Sequence, residues 1–83
     1  MRHGATEVNA PIFPPDGWDD LVPLIRKRLR LGIPQSAMCP AIGLNAGALN
    51  RLERGRVSRV EPETIERYRT ALGKIEAAIR AQP

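Results

Sequence analysis

Residues 32–55, Gly32-Ile33-Pro34-Gln35-Ser36-Ala37-Met38-Cys39-Pro40-Ala41-Ile42-Gly43-Leu44-Asn45-Ala46-Gly47-Ala48-Leu49-Asn50-Arg51-Leu52-Glu53-Arg54-Gly55, decide the fold. Gln35 to Ile42 reads as a short helix closed by Gly43, which stands where the chain must turn sharply and where positive φ is favoured. Asn45 is a good N-cap for a following helix, Ala46 to Arg54, and Gly55 is its natural stop. Met38, Ile42, Leu49 and Leu52 are spaced to face inward and fix the crossing of the two helices. Leu44 is the apolar residue that plugs the angle, and Cys39 reads as a small buried hydrophobe. Pro40 is the discordant residue, because proline inside a helix removes a hydrogen bond at a cost of about 3 kcal/mol.

On the N-terminal side, Asp20 is an N-cap candidate and Pro23 suits a first turn. Leu21, Leu24, Ile25 and Leu29 form an apolar stripe that ends at Gly32. On the C-terminal side, residues 56–61 form a basic loop and Pro62 opens another helix through Ile65, Tyr68 and Leu72. Gly73 is expected to break or bend it, leaving Lys74 to Ala81 as a fifth helix. No segment alternates with a period of two. The expectation is an all-helical domain of five helices over residues 20–83, preceded by an extended arm over residues 1–19 that is rich in proline. Within it, two short helices joined by a three- to four-residue turn are the helix-turn-helix arrangement.

Eighty-three residues allow one small domain with a marginal core, for which oligomerisation is a common remedy. A single cysteine, Cys39, excludes an internal disulfide framework, and with the single His3 no Cys/His zinc site can be assembled. No apolar run reaches the roughly 20 residues of a membrane span and no signal-peptide pattern opens the chain, so a cytoplasmic protein is expected. No nucleophile–base pair, carboxylate cluster or phosphate-cradling loop argues for an enzyme or a cofactor.

Charge is unevenly divided. Arg2 against Glu7, Asp16, Asp19 and Asp20 leaves residues 1–20 at −3. Residues 21–59 set Arg26, Lys27, Arg28, Arg30, Arg51, Arg54, Arg56 and Arg59 against Glu53 alone, or +7. Residues 60–83 balance four basic with four acidic groups. A concentrated basic block is the electrostatic footprint of a nucleic-acid binder.

The stretch 32–55 resembles, without a gap, the helix-turn-helix of the Cro and phage-repressor (XRE-type) regulators. Gln35, Gly43 and the Glu53-Arg54-Gly55 ending carry the likeness, and Pro-Glu-Thr-Ile (62–65) and Ala-Leu-Gly (71–73) resemble the family's fourth helix. The resemblance covers about 50 of the 83 residues and implies a lambda-repressor-like fold. It implies that Gln35 fixes a phosphate and braces the recognition helix, and that Asn45, Ala46, Gly47, Asn50 and Arg51 face the major groove. Chemistry agrees, since arginine suits guanine, asparagine suits adenine and Ala46 suits a thymine methyl. Arg54, Arg56 and Arg59 are placed to pair with phosphates. Glu53 reads instead as the structural partner of an arginine. Pro34, Pro40, Ala46 and Gly47 depart from the usual pattern.

A module of this size reads few base pairs, so a two-fold dimer on a palindromic operator is expected. Ile75, Ala78 and Ile79 are the candidate interface, with Tyr68 and Leu72 assigned to the core and Phe13 and Trp18 of the arm as further contacts; because an exposed indole is costly, Trp18 is expected to fold back onto the domain or onto a partner subunit. The function expected is that of a sequence-specific repressor or autoregulator of double-stranded DNA, similar in size to restriction-modification controller proteins. The alternative is a protein-interaction module, an antitoxin or anti-activator, whose arm binds a protein partner through Phe13 and Trp18.

Overall fold

The computed structural model describes residues 8 and 10–82. Its helices are α1 (Trp18–Arg30), α2 (Gln35–Ile42), α3 (Ala46–Glu53) and α4 (Pro62–Arg80). Among the described residues there is no strand, only an isolated parallel bridge between Asp16 and Arg59. The described residues therefore form an all-helical unit, with four helices where the sequence suggested five.

The missing boundary is at Gly73. The last helix runs unbroken for 19 residues, and Gly73 keeps a negative φ. Glycine costs about 1 kcal/mol of helix propensity, less than the burial of a large aliphatic side chain returns. Beyond Gly73, Ile75 packs partly on the core and Glu76 pairs with Lys27 of α1 at 2.9 Å. These contacts hold the helix straight across the glycine. The Lys27 hydrogen bond, with Arg80 adding to it, keeps the Glu76 carboxyl below its ordinary range.

At the other end, α1 begins two residues before Asp20, so Asp19 and Asp20 lie in its first turn and the cap is Gly17 at φ 85°. Trp18 explains the shift. Its side chain is buried in the domain core, and burying an indole extends the helix backwards by most of a turn. As a consequence Pro23 lies inside α1 rather than in its first turn. The arm joins the domain through the Val60 N–H, which donates to the Asp16 carbonyl at 2.7 Å. Residues 1–7 and 9 of the expected arm lie outside the described residues.

The central pair forms as its residues dictate. Gly43 adopts φ 78° and ends α2, with its N–H and that of Leu44 both donating to the Cys39 carbonyl. Asn45 Oδ1 accepts from the Ala48 N–H at 2.7 Å and so caps α3. α2 continues through Pro40, whose ring is exposed. Arg67 of α4 donates to the Ile42 carbonyl at 2.7 Å and satisfies the free end of that short helix. Met38, Ile42, Leu49 and Leu52 are all buried, in one core with Leu21, Ile25, Tyr68 and Leu72. No helix among the described residues is long and apolar enough to cross a membrane.

Candidate nucleic-acid interface

The outer side of α3 is built by subtraction. Leu49 and Leu52 point into the core, and Ala46, Gly47 and Arg51 are left exposed on the opposite side. Gly47 and Arg51 are one turn apart, and a Cβ on Gly47 would lie 3.5 Å from Arg51 Nη1. The guanidinium thus lies back along the helix over the smallest residue on it. Asn45 stands at the same end, with its carbonyl oxygen committed to the cap and its amide N–H groups free to donate. Asn50 is half-buried on the flank.

What fixes α3 is a buried polar cluster beneath its C-terminal end. Glu53 is buried and receives Arg28 in a two-toothed pair, Nη2 to Oε1 at 2.6 Å and Nε to Oε2 at 2.9 Å. The Tyr68 hydroxyl donates to Oε2 at 2.6 Å, and Gln35 Nε2 donates to Oε1 at 3.0 Å. Arg28 Nη1 reaches the Ile33 carbonyl at 2.6 Å. One carboxylate therefore ties together α1, α2, α3 and α4. Burial raises the Tyr68 phenol far above its ordinary value, and the hydrogen bond to Glu53 adds to this. Burial opposes the Arg28 charge, but the hydrogen bond and charge of Glu53 outweigh it and raise the guanidinium pKa.

The residues expected to meet DNA divide into groups. Gln35, Asn50 and Arg54 line one cleft, whose floor is Arg28 and Glu53 and whose rim includes Val8 of the arm. Gln35 of α2 faces Glu53 at the end of α3 and donates to it. Asn45, Ala46, Gly47 and Arg51 share the outer end of α3. Arg54 and Arg56 flank Gly55, both exposed and without an ion pair among the described residues. Arg59 stands apart from them, its backbone bridged to Asp16 and its side chain 3.0 Å from Glu61. Such an exposed pair is weak, worth ~0–1 kcal/mol, so a phosphate could replace the carboxylate.

Sequence reading missed Arg28 and the polar use of Tyr68. Glu53 is the structural partner of an arginine, as expected, and the signal for which one was present: Arg28 stands three residues after Ile25 and seven after Leu21, on the inward face of α1. At the far end of α4, Ile79 is 44% exposed and Ala78 is exposed, whereas Ile75 is half-buried against the core. Of the two arm aromatics, Phe13 is 89% exposed and Trp18 is interior. Among the described residues no group of three His, Cys, Asp or Glu side chains could hold a metal ion. Comparison with protein-family models, curated proteins and solved structures finds no match.

Proposed function

We propose that this chain is a sequence-specific DNA-binding transcriptional regulator of helix-turn-helix type, a non-enzymatic cytoplasmic repressor acting on an operator near its own gene. The observation that carries the reading is the outer face of α3. Small residues and one arginine, Ala46, Gly47 and Arg51, lie there together, and the helix beneath them is locked by Glu53 to its three neighbours. Small side chains let the helix backbone approach base edges closely, while Arg51 supplies a bidentate donor for guanine. Arg54 and Arg56, at the end of the same helix, supply phosphate contacts and salt-sensitive affinity.

A protein that reads half-sites one DNA turn apart requires a dimer. Ala78 and Ile79 are the exposed part of the proposed interface and Ile75 anchors it to the core. The deciding test measures binding to duplexes selected from random sequence, for wild type and Arg51→Ala, with excess competitor DNA. Specific binding that Arg51→Ala removes supports the reading, and equal weak binding to every sequence by both proteins rejects it. Ile79→Asp is expected to give a folded monomer by light scattering; an unaltered dimer rejects this interface.

The second reading, a protein-interaction module using the arm, rests on Phe13 and its neighbour Ile12, both almost wholly exposed. Trp18 is no longer available to it. Truncation of residues 1–19 would remove a core side chain, so the discriminating variant is Arg51→Ala, which abolishes DNA reading and spares a partner held by the arm.

A further inference from the structure

Ile12 and Phe13 form a bend whose side chains are 88% and 89% exposed, the largest apolar exposure among the described residues. This bend is held in place on both sides. Before it, Pro11 lies so close to Gly55 that a Cβ there would come within 2.6 Å of Pro11 Cγ. After it, the Asp16 carbonyl accepts from the Val60 N–H at 2.7 Å. The arm is thus clamped against the loop that follows α3, and the apolar tip is presented from a fixed base. Beside the tip is a shallow recess lined by Ala10, Pro11, Ile12, Phe13, Arg54 and Arg56. Among the described residues, two cations and no carboxylate border it.

We propose that the Ile12–Phe13 tip is a second DNA contact, which packs against deoxyribose at the edge of the minor groove beside the major groove read by α3. The proposal rests on the DNA-binding reading of α3 and extends it. Charge selects a polyanion: any occupant of the recess meets Arg54 and Arg56 together with an apolar surface, and a sugar–phosphate strand offers a charged and an apolar side in the same unit. Position selects the groove. The eight residues of α3 span about 12 Å, close to the ~12 Å width of the major groove. With its N-terminal residues on base edges, its C-terminal end stands at the flanking strand. The tip beside that end therefore meets the minor-groove edge of the same strand, where inserted apolar side chains are a known means of gripping and bending DNA.

The test uses the full chain and a duplex that the wild-type protein selects from random sequence. Ile12→Ala with Phe13→Ala should lower affinity for that duplex about tenfold, the scale of one lost apolar contact. The salt slope should stay unchanged, because no counterion is involved, and hydroxyl-radical protection beside the half-site should be lost. Arg54→Ala or Arg56→Ala should instead reduce the salt slope by about 1. The thermal midpoint of the double variant should equal that of wild type, since both side chains are exposed. Unchanged affinity and protection in the double variant, with Arg51→Ala still abolishing specific binding, would overturn the tip assignment alone and leave the tip to a protein partner. Absence of any sequence preference in the wild type would overturn both readings.

Discussion

Arg28 and Glu53 lie 25 residues apart in the chain and meet in a buried, two-toothed ion pair. The remaining hydrogen-bonding capacity of Glu53 is taken up by Tyr68 and Gln35, and among the described residues no buried side-chain polar atom lacks a partner. A charge pair inside so small a core is tolerable only when complete in this way. Its position, beneath the helix proposed to read DNA, means that it sets the orientation of α3 rather than contributing charge to the surface.

Removing one member should therefore be far worse than removing both. Arg28→Met leaves Glu53 buried without a counter-charge and is expected to cost ~3–5 kcal/mol, a large share of the ~5–15 kcal/mol that stabilises an ordinary domain. Combining it with Glu53→Leu should recover part of that loss. Urea unfolding measures both, and a single-variant cost below ~1 kcal/mol, the range of an exposed pair, would contradict the network.

Alkaline stability should depend on Tyr68. Its folded pKa is raised above the ordinary value of 10.0, so the fold favours the neutral phenol. That contribution is complete below pH 10 and is lost as pH rises beyond it, because the unfolded chain then releases a proton the folded chain retains. Tyr68 is the sole tyrosine, so tyrosinate absorbance should appear only together with loss of helical circular dichroism. Tyrosinate formation near its ordinary pKa in a fully helical protein would disprove the buried geometry. Tyr68→Phe should remove this alkaline sensitivity at a cost of ~1.5–3 kcal/mol at neutral pH, since the bond it deletes is made to a charged carboxylate.

Two glycines with similar backbone angles should respond differently to alanine. Gly32 has φ 70° and no atom within 4 Å of an added Cβ, whereas Gly17 has φ 85° and its Cβ would lie 2.3 Å from the Val60 carbonyl oxygen. Gly32→Ala should cost only the left-handed penalty of ~1–2 kcal/mol. Gly17→Ala should cost more, because the arm must also part from the 55–60 loop. Equal falls in thermal midpoint would mean that the arm is not seated on that loop.

Gly73→Ala should stabilise the protein by about 0.8–1.0 kcal/mol, the difference in helix propensity at an exposed interior position. Destabilisation in urea would restore the broken helix that the sequence suggested.

Much of the architecture was legible because it depends on local chemistry. Gly43, Asn45, Gly55 and Pro62 each satisfy a backbone requirement at a helix end, and the end of α2, the start of α3 and the start of α4 follow from them. Gly73 misled because its local cost is real but small beside the packing of Ile75 and the Lys27–Glu76 pair, which only the folded chain reveals. Trp18 folds back onto the domain, one of the two places expected for it, but its membership of α1 was not legible, since a proline-rich stretch carries no helical period.

The helical class, the turn between α2 and α3, the inward set of Met38, Ile42, Leu49 and Leu52, and the basic character of the middle of the chain were all readable from the residues in order. These are properties of nearest neighbours, of a 3.6-residue period and of summed charge, which need no knowledge of distant contacts. Tertiary structure alone decided that Glu53 belongs to Arg28, that Gln35 turns inward to the same carboxylate, and that Pro11 and Asp16 fasten the arm to the loop after α3. Each joins residues far apart in the chain, and only the packing of four helices around one core brings such groups within hydrogen-bonding distance.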